Sequence, residues 1–262
     1  MIAEILFDVS SYLVAGTLFI IILLSNETCY RLGKRHHSKA DEELKKQTIA
    51  IQAGVLGLLA FLLGFTFHIS LQRFDERSEN VVNESNAIGT ALLRAKLLNP
   101  PYDSIAHNLL TRYLDLRIKI SSVALKNTEE RKALDMETEG IEKLLWESTT
   151  EAAKSDPRPV IAGYYVASIN HLIDERSHRM ELQQRHVPEI VLFILFLVFI
   201  IGGGFMGYTS GLSMKRAYFP MLMFNLLIVV VVFIIIDMDR PKRGLIKVNQ
   251  NSLIELKETN LY

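Results

Sequence analysis

Four apolar segments, two on each side of a charged central block, constrain this chain more than any other feature. They cover residues 9–24, 48–71, 188–208 and 217–236. Each of the last three holds about twenty residues with almost no charged side chain. As helix, that is long enough to cross a hydrocarbon layer of ~30 Å. The first reaches spanning length when it is extended back to Ile5, with Asp8 near the interface. The pattern predicts a polytopic membrane protein whose first partner is the lipid bilayer. The question of function becomes what passes through the bilayer, or is sensed across it.

Composition hides this division. Hydrophobic residues make up 49% of the chain and charged residues 22%, values a soluble protein also shows. The charge, however, sits almost wholly between and beyond the spans. Net charge is zero, which speaks against nucleic acid as a partner. The single cysteine, Cys29, cannot form an internal disulfide. Residues 1–8 contain Glu4 and Asp8 but no Lys or Arg. Without a basic n-region, the first apolar segment reads as a retained helix, not a secretory signal.

Charge near the spans bears on orientation. The first loop carries Arg31, Lys34, Arg35, Lys39, Lys45 and Lys46, and the loop after span three carries Lys215 and Arg216. Both favour the cytoplasmic side, leaving the central block outside. Arg240, Lys242, Arg243 and Lys247 after span four pull the other way.

The central block, residues 73–187, reads as all-helical. Asn99-Pro100-Pro101 and Asp156-Pro157-Arg158-Pro159 break it. Ala106, Leu109, Leu110, Tyr113, Leu116 and Ile120 recur at helical spacing. Ile141, Leu144, Leu145 and Ser148 do the same, as do Ile161, Tyr164, Tyr165, Ile169, Leu172 and Ile173. Between Phe65 and Asn86 there is neither Pro nor Gly, so span two is expected to continue straight into the block. A helix from about Pro159 runs towards span three and is interrupted near Pro188. The expected fold is therefore an all-α membrane protein with four transmembrane helices. Its extramembrane bundle is formed by extensions of helices two and three plus an inserted helical pair. The expected organisation is helices one and two over 1–72, the bundle over 73–187, helices three and four over 188–236, and a tail over 237–262.

Two motif blocks carry a resemblance. The run Gly57-Leu58-Leu59-Ala60-Phe61-Leu62-Leu63-Gly64-Phe65 leads into Phe74-Asp75-Glu76-Arg77. Val81-Val82-Asn83-Glu84-Ser85-Asn86-Ala87-Ile88-Gly89-Thr90 and Leu93-Arg94 follow. Near the end stands Asp237-Met238-Asp239-Arg240-Pro241-Lys242-Arg243-Gly244. This pattern resembles the bacterial bestrophin-like membrane family, distant kin of the bestrophin anion channels. The resemblance implies a multi-pass protein of the bacterial inner membrane, a homo-oligomer (a pentamer by analogy), and inorganic ions as its cargo. It also implies a cytosolic helical part, opposite to the charge reading of the first loop. Bestrophins carry an acidic calcium clasp after the last span. Only Asp237 and Asp239 stand at a comparable place, too few to carry that site over.

Pore chemistry would have to live on span two. Gly54, Gly57, Ala60 and Gly64 give it a thin face. By analogy with bestrophin pores, which narrow at stacked apolar side chains on this span, Phe61, Phe65 and Ile69 are candidates for a constriction. The alternative is that the phenylalanines face lipid or a neighbouring helix. His68 lies one turn beyond Gly64, where an imidazole that changes charge near neutrality would make a pore pH-sensitive. Alternatively it is an interfacial histidine beside Gln72 and Arg73. Beyond the membrane a polar stripe follows: Gln72, Asp75 or Glu76, Glu79, Asn83, Asn86 and Thr90, with Phe74, Val81, Ser85, Ile88 and Leu92 opposite. Such a stripe either lines a vestibule or faces solvent. Its acidic start favours cations unless Arg73 and Arg77 neutralise it.

Other features point to structure. The Asp239-Arg240 pair is expected to tie down the base of the bundle, and Gly203, Gly207 and Gly211 to mark tight helix packing. His36-His37, and the helical set His171, Asp174, Glu175 and His178, are weak metal signals, and no metal or cofactor is assigned. Phosphate-binding glycine loops, HExxH and nucleophile elbows are absent, so no enzyme activity is expected. Two classes remain. One is an oligomeric ion channel, anion-conducting by analogy, with span two around the pore. The other is a non-conducting sensor or scaffold whose bundle binds a ligand or partner.

Overall fold

The computed structural model describes residues 9–123, 127–156, 159–216, 218–240 and 245–259. These residues fold into α-helices joined by short connections, with no strand among them. The helices are α1 (Ser11–His36), α2 (Glu42–Ala95), α3 (Tyr102–Ser122), α4 (Thr128–Ser155), α5 (Pro159–Gln184), α6 (Glu189–Ser213), α7 (Tyr218–Met238) and α8 (Asn251–Thr259). Four of the helical stretches are long and apolar enough to cross a membrane, so the chain is a multi-pass membrane protein. As the uninterrupted sequence from Phe65 to Asn86 required, α2 is one helix of 54 residues. The break before Pro188 separates α5 from α6.

The described residues divide into two compact units. The first takes residues up to 73 with 186–240 and 245–246 and contains α1, the apolar half of α2, α6 and α7. Where the solvent is hydrocarbon, burial of apolar surface does not drive helices together, so close packing must do it. The packing is closest between α1 and α6. A Cβ at Gly207 would overlap the backbone carbonyl oxygen of Asn26, and one at Gly211 the carbonyl of Tyr30. The tandem spacing of Gly203, Gly207 and Gly211 thus lets two backbones of the same chain meet. Polar side chains close the seam. Asn26 donates from Nδ2 to the Gly203 carbonyl at 3.1 Å, and Ser25 Oγ donates to that of Ile200 at 2.9 Å. At the end of the seam Arg216 is paired with Glu27 and stacked between the rings of Tyr30 and Tyr218, 4.1 and 4.3 Å from their centroids. Across the unit, Ser70 Oγ on α2 donates to the Ile235 carbonyl of α7 at 2.8 Å.

The second unit takes residues 74–185 and 247–259. Its core draws Val81, Ile88 and Leu92 from α2, Leu110, Tyr113 and Leu114 from α3, Leu145 from α4, and Ile169 and Leu172 from α5. Four residues of the expected inward face of α2, Val81, Ser85, Ile88 and Leu92, are buried, while the fifth, Phe74, is half-buried. One element was not expected. The tail forms α8, whose Leu253 is completely buried in this core. Asn249 Oδ1 accepts from the Asn251 amide at 2.9 Å and starts the helix.

The seam makes a direct prediction. Gly207→Leu forces a side chain into the α1 backbone and should lower stability by about 1–3 kcal/mol or more. This would be read as earlier thermal unfolding in detergent. Gly16→Ala, on the same α1 but with nothing within 4 Å, should leave the unfolding temperature unchanged.

Candidate functional site

Helix geometry decides which α2 residues share a face. At about 100° per residue, Gly54, Gly57, Phe61, Gly64, Phe65, His68 and Gln72 fall in one stripe. The structure leaves each of them exposed within the membrane unit. Phe61 is 68% and Phe65 56% exposed, with their rings stacked at 6.5 Å between centroids. Among the described residues, no other part of the chain comes within 4 Å of a Cβ placed at Gly54, Gly57 or Gly64. The thin face is therefore not the one this chain uses for its own packing. Ile69 departs from the stripe. It follows Phe61 by eight residues, a rotation of about 80°, and packs with Leu63 and Phe67 against the cluster of Val187, Leu192 and Ile235.

In the second unit the same helix exposes Asp75, Glu79 and Asn86, while Glu76 and Asn83 are half-buried. Arg73, at the end of the first unit, is half-buried too. Arg77 does not join the acidic stripe. It is buried, and its guanidinium donates to the carbonyls of Leu182 at 3.1 Å and Arg185 at 2.5 Å. Its side chain is turned to the end of α5, away from the exposed surface that carries Asp75 and Glu79.

The strongest electrostatic feature lies on the inward face, beyond the apolar stretch of α2. Glu84 has no exposed surface. Its Oε1 accepts from Arg117 Nε at 2.5 Å and from the Tyr113 hydroxyl at 3.3 Å, and its Oε2 accepts from Arg179. Arg179 also donates to Gln250 Oε1 at 2.6 Å, which brings in the tail. Burial alone would push the Glu84 carboxyl up, but Arg117 and Arg179 outweigh it and pull the pKa down from 4.5 to about 2. Burial, reinforced by the neighbouring Glu84 charge, pushes the Tyr113 hydroxyl well above its ordinary range. Sequence reasoning assigned Glu84 no role, although a signal was there. It stands three residues after Val81 and four before Ile88, so it is an acid on an apolar helical face.

This helical architecture, with its apolar α2 face, coincides with a family match over residues 18–253. The chain belongs to the Bestrophin-like domain family. No curated protein matches it.

In this Bestrophin-like chain both tail carboxylates hold backbone. Asp237 Oδ2 accepts from the amides of Leu245 and Ile246 at 2.8 and 2.9 Å. Asp239 Oδ2 accepts from the Val187 amide at 2.8 Å. They fasten the chain where α7 ends and where α6 is about to begin. Among the described residues no group of three or more His, Cys, Asp or Glu side chains is placed to hold a metal ion. His171 and Glu175 approach only to 3.9 Å, and His36 and His37 contact Tyr208 Oη and the Leu212 carbonyl.

Glu84→Gln removes the charge that two buried guanidiniums share and should cost about 3–5 kcal/mol of stability. The pH dependence has a definite sign. Because folding depresses the Glu84 pKa, its contribution is complete above about 4.5 and is lost as pH falls towards about 2. Acid titration of thermal unfolding should show this loss in the natural protein and a smaller one in Glu84→Gln.

Proposed function

We propose that this protein is an oligomeric ion channel in which α2 lines the pore. The observation that carries this reading is the α2 face of Gly54, Gly57, Phe61, Gly64, Phe65, His68 and Gln72, which the chain leaves uncovered within its own membrane unit. A face carrying glycines and a histidine is poorly explained by lipid alone, because polar groups in hydrocarbon turn towards protein or water. Copies of the chain arranged around an axis would bring this face inward. Phe61 and Phe65 would then form rings of apolar side chains that gate by excluding water. Ile69, turned towards Val187 and Ile235, is left out of the constriction.

Residues 73–187 form the proposed extramembrane domain. Its α2 surface, with Arg73, Asp75, Glu76, Glu79, Asn83 and Asn86, would border the vestibule. Family kinship implies anions as the cargo, and the pentameric assembly of bestrophins is the model for the ring. A second reading rests on the exposed Asp75 and Glu79, whose carboxylates favour cations at the mouth.

Flux through the purified protein in liposomes, under chloride or potassium gradients, separates these readings. Chloride-selective flux supports the anion channel, and potassium-selective flux supports the acidic-vestibule alternative. Silence from an intact oligomer across pH and calcium conditions favours a sensor or scaffold. In a conducting protein Phe65→Ala should raise conductance or leak severalfold. Unchanged flux with normal assembly removes Phe65 from the gate.

A further inference from the structure

Helices α3, α4 and α5 converge on a cavity of about 270 Å³ that the conduction reading does not use. Its polar lining comes from Arg117 of α3, Arg131 and Asp135 of α4, and Arg179, Gln183 and Gln184 of α5. Arg117 and Arg179 are 4% and 6% exposed, so two cations are held almost out of water. Glu84 engages both. One buried carboxylate therefore serves two buried guanidiniums, and the cavity wall adds a third guanidinium against the single carboxylate of Asp135. At the cavity itself, three guanidiniums thus stand against two carboxylates.

Arg131 is half-buried at the cavity wall, and guanidiniums gathered at a partly enclosed site attract an anion more strongly than they would in open water. Guanidinium groups suit this purpose for oxyanions, since their N–H groups match carboxylate and phosphate oxygens in pairs. The amides of Gln183 and Gln184 supply neutral donors to further oxygens. The volume lies below the roughly 300–1,000 Å³ of sites for drug-sized ligands, which selects a compact ion. We propose that this cavity binds a small oxyanion, of phosphate or carboxylate chemistry, held by Arg131 together with the outer edges of Arg117 and Arg179. A bound oxyanion would tie α3, α4 and α5 together from the cavity side, where Glu84 joins α3 and α5 to α2 from within.

The test is titration calorimetry and thermal unfolding of the purified full-length protein at constant ionic strength. The probes are inorganic phosphate, succinate and, as a halide control, chloride. Saturable binding with a raised unfolding temperature is expected for phosphate or succinate and not for chloride. The probe that saturates at the lower concentration identifies the chemistry. Arg131→Gln should weaken binding by roughly tenfold or more. It should leave the anion-free unfolding temperature in place, since its backbone contact with Val123 is long, at 3.5 Å. Asp135→Asn removes a repelling carboxylate and should tighten binding, an outcome that a merely structural role would not produce. The proposal is overturned if neither oxyanion saturates. It also fails if Arg131→Gln and the exposed Arg112→Gln respond like the natural protein, which would mean ionic screening alone.

Discussion

A carboxylate shut away from water, Glu84, is the interaction on which the helical unit depends. Removing a charge from solvent costs several kcal/mol, and only close opposite charges and complete hydrogen bonding offset it. Glu84 obtains these from Arg117 on α3, Arg179 on α5 and the Tyr113 hydroxyl. The two arginines come from different helices, so the cost is offset only when α2, α3 and α5 are in register. Gln250, accepting from Arg179, extends the same condition to the segment leading into α8. Apolar packing in the core that Ile88 and Leu110 share tolerates small slides, whereas the Glu84 network does not.

The membrane unit solves a different problem. Hydrocarbon offers no hydrogen bonds and little incentive for apolar surfaces to meet. Cohesion there rests on backbone approach at Gly207 and Gly211 and on side chains that donate to carbonyls, such as Asn26, Ser25 and Ser70. The same small-residue device appears twice, with opposite outcomes. On α6 the glycines are filled by α1, and on α2 they are left open. A protein that used all its glycines internally would have no such face to present to another copy.

Much of this was readable from residues alone. The four spans followed from length and charge, the unbroken α2 from the absence of Pro and Gly after Phe65, and the inward face of the second unit from the spacing of Val81, Ser85, Ile88 and Leu92. The glycine spacing on α6 announced close packing but not its partner, because nothing in Gly203, Gly207 and Gly211 points to Asn26 or Tyr30. Two long-range features were hidden. Arg77 and Glu84 both lie on the apolar side of α2, where a charge implies a buried partner, yet their partners lie 29 to 108 residues away, on α3, on α5 and just beyond it. The α8 helix is short, and its apolar pair Leu253 and Leu256 offers too little periodicity to recognise. Ile69 shows the limit of counting in fours: each step drifts about 40° around the helix, and two steps carry a residue off the face.

The clamp of Arg216 between Tyr30 and Tyr218 sets a level as well as a contact. Helix α1 has 26 residues, about 39 Å of rise, against a hydrocarbon core of ~30 Å. Part of it must therefore lie in the headgroup layer, where tyrosine rings and arginine are most at home. With Glu27 fastening the arginine, that end of α1 is pinned to one depth. A change in bilayer thickness would then be met by tilt or by deformation of the lipid, not by sliding of the helix.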